Sequence, residues 1–261
     1  MTSALTPPPA PARSLTGRTA LVTGGGSGIG RACVTALAAA GAYVHVADVD
    51  AEAAKAAAEA ADGTAHVVDL ADADADALDC LPTAVDIVVN NAGLQHVAAL
   101  HEFPPEQFTR IQQVMVTAPF LLIRRSLPYM YGQGWGRIVN ISSVHGLRAS
   151  AYKAAYVAAK HALEGLSKVT ALEAAEHGVT SNCINPGYVR TPLVEQQITA
   201  QAAAHAIPQE SVISDVLLKR SAIKRLIAPE DVAGAAVWLC GPHAAFVTGA
   251  SLPLDGGWTA G

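Results

Sequence analysis

Residues 19–30 read TALVTGGGSGIG, and the way this stretch folds decides the rest. Thr19 to Thr23 is short and nearly continuously apolar, which suits a strand buried on both faces of a parallel sheet. Glycines follow at once, and a helix is expected to begin near Ile29. In such a turn the positions without side chains let backbone N–H groups approach a ligand, while the helix aims its positive end at the same point. A pyrophosphate fits there. A second strand-like run at Tyr43 to Ala47 supplies the context that a lone glycine turn lacks. It ends at Asp48, about 20 residues past the glycines, where a carboxylate accepts hydrogen bonds from an adenosine ribose and repels a 2′-phosphate. The expected cofactor is NAD rather than NADP.

Outward from this unit, strand and helix alternate. Ala51 to Ala61 is helical by propensity, and Ala65 to Val68 is a third strand leading to Asp69, placed to meet adenine at the sheet's edge. The alanine/aspartate run 71–79 is expected to be a short exposed helix. Val85 to Val89 is a fourth strand, and NNAG (90–93) follows it at the end where an open α/β sheet binds ligands. A helical stretch runs from Pro105 to about Met130. Pro105 suits a first turn, but Pro119 would cost about 3 kcal/mol in a helix interior, so a break is predicted near Val116. Arg137 to Ile141, Val179 to Ile184 and Ala250 to Leu254 complete seven strands, with a last amphipathic helix at Pro229 to Cys240. Residues 192–228 are rich in Gln and Ala without a strand signal and read as a helical lid over a pocket. The expectation is an α/β fold: one doubly wound (Rossmann) domain over 15–261 with a mostly parallel seven-stranded sheet, after a disordered tail at 1–14.

Composition agrees with one large core: 261 residues, 51% hydrophobic and 15% charged. A net charge of -5 without a Lys/Arg cluster leaves no electrostatic footprint for nucleic acid or anionic membrane. Cys33, Cys80, Cys183 and Cys240 are far apart and form no CxxC pair, so they read as small buried residues in a reducing compartment, with no metal ligation. No run of 18 apolar residues occurs, and a cytoplasmic protein is expected.

The chemistry concentrates in NISSVHGLRASAYKAAYVAAK (140–160). With Ser150 as N-cap and a helix from Ala151, Tyr156 and Lys160 fall four apart on one face. At an effective dielectric of about 20, an ammonium roughly 4 Å from the phenol is worth about three pKa units, which would bring the tyrosine toward neutrality. Ser143, at the end of the fifth strand, can hydrogen-bond the same substrate oxygen. Proton transfer at an alcohol or carbonyl is implied. By itself the YxxxK pair also reads as an ordinary amphipathic helix face.

Together, TGGGSGIG (23–30), NNAG (90–93), Ser143 with Tyr156-x-x-x-Lys160, and NPG (185–187) resemble the short-chain dehydrogenase/reductase family in order and spacing. The resemblance implies that Ser143 polarises the substrate oxygen, Tyr156 transfers the proton, and Lys160 binds the nicotinamide ribose and lowers the tyrosine pKa. Gly24, Ser27, Ile29, Asp48, Asp69, Asn91, Val189 and Thr191 match positions that hold NAD.

Longer runs, including LQH (94–96), WGRIVNISSVHGL (135–147), YKAAYVAAKH (152–161) and PGYVRTPLVEQQ (186–197), resemble members that oxidise 3-hydroxybutyrate. They imply that Gln95, His145, Lys153 and Gln197 hold the substrate carboxylate, with Lys153 one turn before Tyr156 and both cations as charge-assisted donors. A homotetramer is also implied. The same residues would serve a dehydrogenase of another hydroxy acid, or a nucleotide-sensing protein with an impaired site. One position departs from the family: an Asn that helps hold a water beside the lysine is replaced by Met115. A thioether cannot replace an amide, so a slowed proton relay is expected.

Overall fold

The computed structural model describes residues 14–72, 77–192 and 208–261, together with Val194, Glu195, Ile198 and Ala202. The expected tail apart from Ser14, residues 73–76, and much of the expected lid, Gln197 included, lie outside the described residues.

Seven strands form one sheet: β1 (Thr19–Thr23), β2 (Tyr43–Asp48), β3 (Thr64–Val67), β4 (Ile87–Asn90), β5 (Gly136–Ile141), β6 (Val179–Pro186) and β7 (Ser251–Leu254). Their order is β3-β2-β1-β4-β5-β6-β7, and every pairing is parallel. The crossovers are α1 (Gly28–Ala39), α2 (Ala51–Ala60), the α3 (Pro105–Gln112) and α4 (Ala118–Gln133) pair, α5 (Ala154–Ala174) and α6 (Pro229–Cys240). Both faces of the sheet are covered, which is why the central strands β1 and β4 read as apolar runs rather than alternations. In β1, Ala20 and Val22 pack into a core with α1, α2 and α6, whereas Leu21 packs into a second core with α3, α4 and α5. The chain runs outward in opposite directions from β1 and β4, and the crevice between their C-terminal ends is where such a sheet receives ligands.

The predicted break near Val116 is a π-helical turn, Gln113–Thr117, between α3 and α4. Pro119 has no N–H to give the carbonyl of Met115, so an α pattern would fail there. Moving each donor one residue along avoids the gap, and the Ala118 N–H bonds to Gln113 O.

Two expectations need correction. The helix of the YxxxK pair begins at Ala154, capped by Lys153 and not by Ser150. Tyr152 sits in the left-handed region with φ 68°, a conformation no right-handed helix can run through, and its carbonyl accepts the Ala98 N–H at 3.1 Å. Lys153 stands at the helix entrance, its carbonyl accepting the Val157 N–H at 2.9 Å, one turn before Tyr156 as expected. Cys80 is exposed, unlike Cys33, Cys183 and Cys240, which are buried, because it ends a short 3-10 turn, Ala77–Cys80, at the surface. That turn is the described helical part of the 71–79 run.

Candidate active site

A cleft of about 410 Å³ opens at the C-terminal ends of the strands and is lined by every predicted site residue among those described. At one end, Gly24 has φ +62°, and a Cβ there would lie 2.9 Å from Asn91 Nδ2 and 3.0 Å from the backbone of Ala92. Only glycine lets the two turns close on each other. Asn91 fastens them, donating from Nδ2 to the carbonyls of Thr23 and Gly24 at 3.0 and 3.1 Å. Ser27 caps α1 with extended backbone and no side-chain capping bond, and the first turn carries no acid. Its hydroxyl and the positive end of α1 thus face the cleft unopposed, which fits a pyrophosphate.

Asp48 ends β2 beside this turn, accepting the Gly26 N–H at 2.8 Å on Oδ2 and the Asp50 N–H at 3.1 Å on Oδ1. Each oxygen keeps a further lone pair for ribose hydroxyls. Asp69 accepts the Ala71 N–H at 2.8 Å and pairs with Arg110 at 3.7 Å. Ile29, Val189 and Thr191 complete this part, Thr191 packing on Gly28. The residues present fit a dinucleotide.

At the other end Tyr156 and Ser143 line the cleft together. Lys160 is buried, with its Nζ 5.5 Å from the Tyr156 ring centroid and donating to the Ile141 carbonyl at 2.6 Å. Burial lowers the Lys160 ammonium to about 8. The expected depression of Tyr156 is not met: burial pushes its phenol up, with the nearby Ser143 hydroxyl acting the other way. Helical spacing tells of the nearby ammonium but not of the lost hydration, which here outweighs it.

His145 lies edge-on to Tyr156 at 6.0 Å and against Trp258 at 5.9 Å. Burial, with Lys153 adding to it, lowers His145 to about 4. It is therefore a neutral imidazole and not the charged donor expected. Both its ring nitrogens and Gln95 Nε2 are buried without a hydrogen-bond partner. Lys153, lowered by burial, lines the same part of the cleft with its ammonium 6.0 Å from the Tyr188 ring.

Tyr188 and Arg110 were missed in the sequence. Tyr188, standing between Gly187 and Val189 after the NPG turn, could have been found by its position. Arg110 reaches the cleft from α3 and had no local signal. Met115 is fully buried, its Sδ and Cε both 3.6 Å from where Gly93 would carry a Cβ.

Fold and cleft define a nucleotide-dependent oxidoreductase of the Rossmann type, and the chain belongs to the short-chain dehydrogenase/reductase family. A family model described as enoyl-(acyl carrier protein) reductase matches residues 24–259. The chain is 46% identical over 257 residues to the D-beta-hydroxybutyrate dehydrogenase of Cupriavidus necator, covering 94% of this chain and 99% of that one. It is 53% identical over 175 residues to the enzyme of the same name from Rhizobium meliloti, covering 67% and 68%. A solved structure from Agrobacterium tumefaciens with bound NADP, described as a candidate 2-deoxy-D-gluconate 3-dehydrogenase, has a TM-score of 0.83 at 36% identity and covers 95% of this chain and 99% of its own. Among the described residues no helix is long and apolar enough to cross a membrane.

Proposed function

We propose that the protein oxidises 3-hydroxybutyrate to acetoacetate with NAD, reversibly. The observation that carries this reading is the set of buried, unpartnered donors, Gln95 Nε2 and the His145 ring, beside Lys153 in the same cleft as Tyr156 and Ser143. A carboxylate would accept from Gln95 Nε2 and from the one N–H of the neutral His145 ring, with Lys153 supplying the charge and Gln197 expected to join from the lid. The names of the two hydroxybutyrate dehydrogenase relatives support the substrate.

When bound, NAD supplies the acceptor for the hydride that leaves C3. The hydroxyl proton passes to Tyr156 as its C–O bond becomes a carbonyl, so two electrons and two hydrogens leave the substrate. Ser143 donates a hydrogen bond to the same oxygen and holds it against the phenol. Lys160, an ammonium below about pH 8, sits beside Tyr156 and favours its anion, offsetting the burial that raises it. Oxidation should accordingly speed up as pH rises toward the tyrosine's titration.

NAD is preferred over NADP in this reading because Asp48 meets the ribose edge, and the cleft cations are Arg110, Lys153 and Lys160. Arg110 faces Asp69, and the two lysines line the opposite end with Tyr156. An expected preference of at least about tenfold in kcat/KM, roughly 1.4 kcal/mol, follows. The protein is further read as a cytoplasmic homotetramer. Exposed Phe120, Val169 and Leu172 on α4 and α5, and Trp238 on α6, are faces on which copies can pack. Cys33, Cys80, Cys183 and Cys240 form no disulfide, which suits a reducing compartment.

Absorbance of the reduced cofactor tests the reading with a panel of hydroxy acids of each hand and both cofactors. Turnover of 3-hydroxybutyrate with NAD ahead of the panel is expected. Another acid turned over faster, or equal kcat/KM with NADP, would contradict it.

A further inference from the structure

Glu164 is a buried carboxylate, 4% exposed, and nothing in the proton transfer above uses it. It lies four residues beyond Lys160 on α5, one turn along the same face. Its Oε1 accepts from Asn185 Nδ2 at 2.5 Å and its Oε2 from the Ser251 hydroxyl at 2.5 Å. The same Asn185 Nδ2 donates to the carbonyl of Ser143 at 2.9 Å. The turn carrying His145 also closes on it: a Cβ on Gly146 would come within 2.9 Å of Glu164 Oε1. One carboxylate therefore abuts two of the segments that form the reacting end of the cleft, β6 and the His145 turn, and ties them to β7.

A structural tie between α5, β6 and β7 would explain the hydrogen bonds but not the charge. A glutamine could make the same two bonds, accepting from Asn185 and donating to Ser251. The negative charge has a separate use. Lys160 is equally buried, and its hydrogen bond to Ile141 goes to a neutral carbonyl. An ammonium in that position loses its hydration, and without a counter-charge it escapes by losing its proton.

We infer that Glu164 is a positioning residue of this site, the counter-charge that keeps Lys160 an ammonium and, through Asn185, sets the backbone of Ser143. The inference rests on the roles given above to Lys160 and Ser143. The other titratable groups around the pair are Cys183 from β6, Tyr156 on α5 and His145 from the neighbouring turn. β7 contributes the Ser251 hydroxyl and β5 the Ile141 carbonyl. Burial lowers Lys160 to about 8, with Cys183 and Glu164 acting the other way. Burial, and then Glu164, push the Cys183 thiol up, so it stays uncharged. Burial also keeps His145 and Tyr156 neutral. Glu164 is the one carboxylate among these groups, and it acts on Lys160 without a direct ion pair.

The test is a titration of Lys160 that needs no turnover, by carbon NMR of protein labelled at lysine Cε, with the Lys160 signal assigned from its loss in Lys160→Arg. In Glu164→Gln the Lys160 midpoint should fall by about one pH unit. The alkaline limb of kcat/KM should move down with it. In Glu164→Asp, which keeps the charge but shortens the reach, Tm should fall while the midpoint stays near that of the wild type. An unchanged midpoint in Glu164→Gln would overturn the inference. If that variant does not fold, the wild type decides: a Lys160 midpoint well below pH 7 would mean that no counter-charge holds the ammonium. The expected midpoint shift in a protein that oxidises no hydroxy acid would instead overturn the reading of function and leave this electrostatic one standing.

Discussion

At the N-terminal ends of the strands Arg18 donates to Asp86 at 2.8 Å, and Asp86 also accepts the Thr19 N–H at 2.9 Å. The Trp135 ring lies under two guanidiniums, 3.9 Å from Arg18 and 4.4 Å from Arg137. Arg137 donates to the carbonyls of Gly136 and Gly178, while its Nε is buried without a partner. At the C-terminal ends of the same strands, Gln95 Nε2, the Ser142 hydroxyl and both His145 nitrogens are buried and unpaired. At the lower end the Asp86 carboxylate is taken up by Arg18 and the Thr19 N–H, and Arg137 by backbone carbonyls and the Trp135 ring. The groups at the upper end are held ready by neighbours that do not consume them, as Asn91 holds the glycine turn and Asn185 holds Ser143. An unmet buried polar group costs about 1 to 3 kcal/mol, so several in one cleft mark a place where stability has been given up for binding.

Substitutions should separate the two ends cleanly. The largest effect belongs to Tyr156→Phe, which removes the proton-transferring oxygen and should cost between about 10² and 10⁴ in kcat. Its Tm should stay within a few degrees of the wild type, since the ring still fills its place. A variant that kept a tenth of the activity would mean that some other group moves the proton.

Asp86→Ala should do the reverse. It leaves Arg18 and the Thr19 N–H without their acceptor, for a loss of about 2 to 3 kcal/mol in denaturant unfolding. The folded fraction should keep its kcat/KM. A large change there would show that the lower end feeds the chemistry and would undo the contrast.

Met115 is the smaller test, because it lies under the upper end without facing it. Its thioether packs on Gly93, so Met115→Asn should bury an unsatisfied amide and lose about 1 to 2 kcal/mol without raising kcat. A higher kcat in that variant would restore the idea that the residue limits proton exchange.

Much of this was readable in the sequence. The central strands β1 and β4 are runs of apolar residues because both faces of the sheet are covered, and Pro119 announced the irregular turn at 113–117. Ser143, Tyr156 and Lys160 were legible because one strand end and one helix face hold them at fixed spacing. What could not be read depends on contacts between distant segments. The helix start at Ala154 follows from the left-handed Tyr152, held by the Ala98 N–H. The directions of Tyr156 and His145 follow from burial, and Arg110 reaches the cleft from another element. The tie from Glu164 to Ser251 spans 87 positions, and no local pattern carries it.

The most direct test sets 3-hydroxybutyrate against its methyl ester, each oxidised with NAD by the wild type and by Lys153→Ala, with kcat/KM measured for all four pairs. If the unpaired groups of the upper end exist to take a carboxylate, the wild type should favour the acid strongly. Lys153→Ala should then lose about ten- to a hundredfold on the acid and little on the ester. Acid and ester turned over with equal efficiency by the wild type would contradict it.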